Sequence, residues 1–192
     1  MGHIADKEFI RGEVPMTKQE IRAVSVAKLN LKENSILIDV GAGTGSVGIE
    51  ASTYMPLGKV YAIEKKSEGI ELIKENIKKF SIKNMEVIQG TAPDDLSIKN
   101  FDRMFVGGSS GKLEKIVEYF IKYSKEKSII VINAITLETI SEVKNIFEKY
   151  KIKNIEIINM NVARAKKIGN YTMMYGENPI YIVTGEKGEI NE

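Results

Sequence analysis

The run Ile36-Leu37-Ile38-Asp39-Val40-Gly41-Ala42-Gly43-Thr44-Gly45-Ser46-Val47-Gly48-Ile49-Glu50 passes from continuous apolar residues to alternating glycines, then back to apolar residues at helical spacing. Few arrangements accommodate it other than strand, tight turn and helix. Glycines at 41, 43 and 45 let the backbone take positive φ and let a ligand press against main-chain N–H groups where a Cβ would clash. The dinucleotide fingerprint needs its third glycine one place later, where this chain has Ser46, and no Lys-Ser/Thr pair follows as in a phosphate loop. Pyrophosphate is therefore disfavoured, and a smaller nucleotide-like cofactor is expected. Lys59-Val60-Tyr61-Ala62-Ile63-Glu64 supplies a second apolar strand ending in an acid, at the distance expected of the next strand of a βαβ unit. A carboxylate there can accept both hydroxyls of a ribose. The plainer alternative is a glycine-rich turn followed by a solvated glutamate, and the two features together outweigh it.

Along the rest of the chain the two periods alternate. Residues 9–16, with Gly12 and Pro15, predict an extended strap. Thr17 with Glu20 three residues on has capping-box spacing, so a helix is predicted from about Thr17, with Ile21, Val24, Ala27 and Leu29 on its apolar face. After the glycine turn a crossover helix runs to Pro56 and Gly58. Ser67 is predicted to cap another, with a stripe of Ile70, Ile73, Ile77 and Phe80. Strands follow at 85–88, 101–106 and 128–133, separated by helices marked by Leu113, Ile116, Val117 and Phe120 and by Leu137, Ile140, Val143 and Phe147. The end differs: residues 155–160 and 179–184 are strands with no helical period between them, so they should be neighbours, one antiparallel. Alternating strands and helices predict a doubly wound α/β sheet with ligands beyond the carboxyl ends of its strands.

Composition narrows the chemistry. The 192 residues, 43% hydrophobic and 28% charged, suit one domain spanning residues 1–192, with no apolar run long enough to span a bilayer. The first eight residues lack the basic start and apolar core of an export signal, so a cytoplasmic address and no membrane partner are expected. With no cysteine and a single histidine, disulfides, thiolate nucleophiles and Cys/His metal sites are excluded. A net charge of +2 is too small to point to nucleic acid, although Arg164-Ala165-Lys166-Lys167 is a short basic cluster.

Asp39-x-Gly41-x-Gly43-x-Gly45 followed by Glu64 resembles the first motifs of class I S-adenosylmethionine-dependent methyltransferases. The resemblance implies a Rossmann-like, seven-stranded, mostly parallel sheet with its last strand antiparallel. It also implies S-adenosyl-L-methionine as cofactor, held by Gly41, Ala42, Gly43, Thr44, Gly45 and Glu64. Enzymes that methylate amines usually carry an Asn/Asp-Pro-Pro-aromatic turn after the fourth strand, where this chain has Val106-Gly107-Gly108-Ser109-Ser110-Gly111. Asn178-Pro179-Ile180-Tyr181 matches that pattern only superficially, at the start of the last strand, where its aromatic reads as packing.

Further segments carry a narrower resemblance: Asp6-x-Glu8-Phe9-Ile10-Arg11, Pro15-Met16-Thr17-Lys18, Gly90-Thr91-Ala92-Pro93, Phe105-Val106-Gly107-Gly108-Ser109, Asn133-Ala134-Ile135-Thr136-Leu137-Glu138 and Val162-Ala163-Arg164-Ala165. With the glycine turn they are similar to the decarboxylating precorrin methyltransferases of corrin (cobalamin) biosynthesis. That family methylates carbon 15 of cobalt-precorrin-6B, or precorrin-6Y in the aerobic route, and removes the carboxyl of the acetate at carbon 12. With no fused carbon-5 methyltransferase domain in the chain, the stand-alone, cobalt-early enzyme is expected. The resemblance adds Thr17 and Ala92 to the cofactor site and implies a homotetramer, with residues 1–30 as strap and helix and 160–178 as an interface arm. The substrate is a tetrapyrrole with many carboxylates, so Arg11, Lys18, Arg103, Arg164, Lys166 and Lys167 are candidate clamps. The Gly107-Gly108-Ser109 turn is a candidate substrate contact. Tyr171, Tyr175 and Glu138 are candidate proton donors, or equally packing residues of the arm and a first-turn helix acid. An RNA or protein methyltransferase of the same fold, and a non-catalytic assembly module, are the alternatives.

Overall fold

The apolar runs of β1 (Ile36–Val40), β2 (Lys59–Glu64), β4 (Phe101–Val106) and β5 (Ser124–Ala134) are covered on both faces, as parallel strands fed by crossover helices must be. The computed structural model describes residues 3–188, so residues 1, 2 and 189–192 of the expected strap and domain lie outside the described residues. With β3 (Met85–Gln89), β6 (Lys153–Met160) and β9 (Ile180–Glu186), these strands form one sheet of seven in the order β3-β2-β1-β4-β5-β9-β6. The first five pair in parallel, and β9 runs antiparallel between β5 and β6. This is the expected class I methyltransferase architecture.

The two-residue period of the strands sorts the core into layers. Leu37, Val60, Phe105 and Val131 face α1 (Gln19–Lys28) and α2 (Ser46–Ser52), through Ile21, Val26, Val47 and Ala51. Ile38, Met104, Ile130 and Ile132 face α4 (Leu113–Tyr123) and α5 (Leu137–Lys149), through Ile116, Phe120, Val143 and Phe147. The remaining crossover helix, α3 (Ser67–Lys79), buries Ile70, Leu72 and Ile73.

Several local expectations are corrected. Helix α1 starts at Gln19 with Lys18 in the cap position and no side-chain cap, so Thr17 is not its N-cap. Helix α3 starts at Ser67 itself, with Lys66 in the cap position. The buried face of α1 is Ile21, Arg22, Ser25 and Val26, whereas Ala27 is exposed. Leu137, expected in the stripe of α5, is 71% exposed. Strand β5 begins at Ser124, four residues before its expected start at Ser128. The 160–178 arm contains a hairpin, β7 (Ala163–Ile168) and β8 (Tyr171–Gly176), that pairs with itself as a separate two-stranded sheet.

The N-terminal strap is tied down by polar side chains. After a short 3-10 turn at Asp6–Glu8 it runs without helix or strand to α1. Arg22, fully buried, donates to Glu50 Oε2 (2.7 Å), Asp6 Oδ1 (3.0 Å), the Thr17 carbonyl (2.7 Å) and the Ile4 carbonyl, and lies 4.8 Å over the Phe9 ring. Asn76, equally buried on α3, accepts from Ile10 N–H and donates to the carbonyls of Ile10 and Thr44, joining strap to glycine turn.

Candidate active site

At the carboxyl edge of the sheet lies a cavity of about 860 Å³, within the size range of small-molecule sites (about 300–1,000 Å³). Its wall is built from consecutive strand ends. These are Val40 with Gly41, Ala42 and Gly43 after β1, Glu64, Lys65 and Lys66 at β2, Gly90, Thr91 and Ala92 after β3, Gly107, Gly108, Ser109 and Ser110 after β4, and Asn133 and Ile135 at β5. Val14, Pro15, Met16, Thr17 and Lys18 of the strap close one side, and Val162, Glu177, Asn178 and Ile180 at the hairpin base close another.

Glycines 41, 43 and 45 do take positive φ, at 68°, 58° and 76°. A Cβ at Gly41 would lie 2.6 Å from the Gly108 carbonyl oxygen, and one at Gly43 would lie 2.8 Å from that of Pro15. These glycines therefore admit the neighbouring turn and the strap as well as any ligand. The Glu64 carboxylate accepts three backbone N–H groups, from Gly43 at one oxygen and from Lys65 and Lys66 at the other, each at 2.9 Å. Two carboxylate oxygens offer about four lone-pair directions, so about one acceptor position remains on this cavity-lining side chain. Those bonds also explain the start of α3, because Glu64 fixes the turn that a Ser67 cap was expected to fix.

Asp39 sits beneath the turn, fully buried, with Oδ2 accepting Gly48 N–H at 2.9 Å. Burial pushes its carboxyl up to about 7 against that hydrogen bond, and the nearby Glu64 charge pushes the same way. Asp39 Oδ1 and Thr44 Oγ1 are buried without a hydrogen-bond partner among the described residues. On the β5 side Ser25 Oγ donates its proton to the Ile21 carbonyl at 2.8 Å and lies 3.1 Å from the side-chain amide of Asn133, which lines the cavity.

The family described as the precorrin methyltransferase domain matches residues 8–187 of the chain. The chain belongs to this family. A protein of Saccharolobus solfataricus carrying the name "Probable cobalt-precorrin-6B C(15)-methyltransferase (decarboxylating)" is 40% identical over 189 residues, covering 96% of this chain and 95% of that protein. The crystal structure of precorrin-6y C5,15-methyltransferase from Geobacter metallireducens superposes with a TM-score of 0.90 at 38% identity, covering 96% of this chain and 97% of that one. That of precorrin 8w decarboxylase from Methanobacterium thermoautotrophicum gives 0.88 at 31% identity, covering 95% and 98%.

Within this precorrin methyltransferase fold, Thr17, Gly41, Ala42, Gly43, Glu64, Ala92, Lys18, Gly107, Gly108 and Ser109 come together on the cavity wall. Thr44 and Gly45 do not. Thr44 is buried, and Gly45 caps α2, where a Cβ would press on the Ile73 side chain. Arg103 is no clamp. It is buried toward the amino end of β4, donating to the carbonyls of Leu29 and Asn30, where it staples the end of α1. Arg164 grips Glu20 with both ends of its fork (3.1 and 2.6 Å) and Glu177 through Nε (2.6 Å), so its donors are engaged within the chain. Those partners hold its guanidinium protonated, and Arg164 in turn draws the Glu20 carboxyl down to about 2. Lys166 and Lys167 lie on the exposed hairpin, and Lys166 stacks over the Tyr175 ring. Tyr171, Tyr175 and Glu138 do not line this cavity: the tyrosines stand on the hairpin, 75% and 42% exposed, and Glu138 lies in the exposed first turn of α5. Lys65, Lys66, Glu177 and Asn178 line the cavity in addition to the residues expected there. Asn178 belongs to the superficial Asn178-Pro179-Ile180-Tyr181 match, and its place before the reversed strand β9 is the signal for it.

Proposed function

We propose that the protein transfers a methyl group from S-adenosyl-L-methionine to carbon 15 of cobalt-precorrin-6B and removes the carboxyl of the carbon-12 acetate. One observation carries the reading. A single cavity joins the glycine turn and Glu64 to the Gly107–Gly108–Ser109 turn, Asn133 and Asn178, in a chain of the precorrin methyltransferase family. The relative from Saccharolobus solfataricus bears that activity in its name.

When bound, the cofactor supplies a methyl group on a sulfonium, which needs no protein nucleophile; a chain without cysteine suits it. The residues fit such a group, with Glu64 offering an acceptor for a ribose hydroxyl and Ala92 its amide. The chain's own task is alignment and exclusion of water, by Val14, Pro15 and Met16 of the strap on one side and Ile135, Val162 and Ile180 on the other. In the decarboxylation the bond from the acetate methylene to its carboxyl carbon breaks, the electron pair passes into the conjugated ring and carbon dioxide leaves. One proton then returns to the methylene carbon. Thr17, Lys18 and Ser109 bear exchangeable protons on the cavity wall.

Incubation with methyl-labelled S-adenosylmethionine and cobalt-precorrin-6B is expected to give a product heavier by one methyl and lighter by one carbon dioxide. By calorimetry S-adenosylhomocysteine should bind and NAD should not, and Glu64→Ala should weaken the former by about 1.5–3 kcal/mol through loss of a charge-assisted hydrogen bond. Binding of NAD alone would overturn the reading.

The proposal includes a homotetramer held through the hairpin arms, working in the cytoplasm beside its methyl donor. No helix among the described residues is long and apolar enough to cross a membrane. Tyr171, Met173, Met174 and Tyr175 are 75%, 52%, 66% and 42% exposed on a two-stranded ribbon, an element that is marginal alone in water. Sedimentation should show a tetramer for the wild type and smaller species for Tyr171→Lys/Met173→Lys, two positions on one face of the ribbon. A wild-type monomer at micromolar concentration would refute the assembly.

A further inference from the structure

Beside the cavity, at the base of the strap, lies a second cleft of about 620 Å³ whose wall includes Lys7, Arg11, Lys18, Asp6, Arg164 and Glu177. Lys18 and Glu177 belong to both walls, so the cleft adjoins the cavity. Its acids are already matched. Asp6 accepts from Arg22 at 3.0 Å, and Glu177 accepts from Arg164 at 2.6 Å. The side chains of Lys7, Arg11 and Lys18 have no ion-pair or hydrogen-bond partner among the described residues. Three unspent cations therefore gather in one concavity next to a site built for a small molecule. Like charges gathered in this way repel one another, and an anion between them relieves the repulsion.

We infer that this cleft is a carboxylate subsite, holding one of the acetate or propionate arms of the tetrapyrrole that does not react while the ring lies in the cavity. The inference rests on the proposed tetrapyrrole reading and deepens it. Arg11 is the strongest candidate, since its planar fork can take a carboxylate through two parallel hydrogen bonds, with Lys7 and Lys18 as point charges beside it. The arm held here is a spectator on electrostatic grounds. Decarboxylation moves negative charge off the carboxyl group into the ring, and a cation gripping that carboxylate would stabilise the starting state more than the transition state. The reacting arm thus belongs against the apolar part of the main cavity, around Phe105, Ile135 and Ile180.

The test uses Arg11→Ala and Lys7→Ala/Arg11→Ala in the full chain, with Lys144→Ala on the exposed face of α5 as control. With cofactor saturating, KM for cobalt-precorrin-6B should rise roughly tenfold or more in the double variant, as loss of a charge-assisted hydrogen bond implies. Methyl incorporation and carbon dioxide release should keep their ratio, kcat should change less than threefold, and Arg11→Lys should recover part of the loss. Unchanged KM, or S-adenosylhomocysteine affinity falling in parallel, would overturn the subsite in favour of a merely structural strap. Fluorescence titration with uroporphyrin, a tetrapyrrole octacarboxylate, reads the cleft without turnover. Binding that weakens with salt and is lost in the double variant supports it, even if the wild type fails to methylate and the reaction reading falls. Equal affinity in both proteins, or no binding to the wild type, overturns it.

Discussion

Arg22→Ala is expected to lower folding stability by about 3–5 kcal/mol, the scale for breaking a buried ion pair from one side. Arg22 and Glu50 are both fully buried, and their 2.7 Å bond is the shared centre of a network reaching His3, Ile4, Asp6 and Thr17. Alanine leaves the Glu50 carboxylate in the core with only His3 and the Ile4 amide, and it removes the cation stacked on Phe9. Urea melts should show the midpoint falling at unchanged slope, and thermal melts a drop on the order of 10 °C for a chain of this size. The double variant Arg22→Met/Glu50→Met separates stability from function. With the buried Glu50 charge gone it should recover part of the stability, although Asp6 and the Ile4 and Thr17 carbonyls still lose their donor. Its strap is nonetheless no longer held through Asp6 and the Thr17 carbonyl, so cofactor affinity should stay low. A single variant within about 1 kcal/mol of wild type would mean that the strap is held by its apolar residues instead.

This network is also the part of the fold least legible in the sequence. The glycine turn and Glu64 were legible because each role lies in a few consecutive residues, and because residue alternation along β1, β2 and β4 sorts core from core. Arg22, Ser25 and Asn76 were not, since each is polar on a buried helix face and its partners are far off in sequence: Glu50, Asn133 and the strap. The two misplaced caps share a cause. Thr17 and Ser67 have capping chemistry, but Lys18 and Lys66 occupy the cap positions, and at α3 the Glu64 carboxylate fixes the turn that a cap would have fixed. The hairpin carried a Gly169-Asn170 signal between cationic and methionine-rich flanks that match neither period. Asn178 reaches the cavity only because β9 is reversed, which puts its first residues at the carboxyl edge of the parallel strands. Likewise, nothing local to Arg103 or Arg164 told that their donors are taken within the chain.

Asp39 gives the sharpest pH signature. Its carboxyl is fully buried, and burial, aided by the charge of Glu64, raises it from 3.8 to about 7 despite the bond from Gly48. Between those two values the folded chain holds a proton there that the unfolded chain has released. Stability must therefore decline as pH rises through this window, the opposite of a salt-bridged aspartate. The contribution is fully present below the unfolded value and lost as pH passes about 7. A window of about three pH units is worth on the order of 4 kcal/mol. Asp39→Asn keeps an oxygen for the Gly48 amide and cannot ionise, so it should lack this decline. Urea melts at intervals from pH 5 to pH 8 should show the wild type losing ground to the variant steadily, with most of the difference developed by pH 8. Parallel curves across that range would show that Asp39 titrates alike in both states, and that the floor of the glycine turn is open to water.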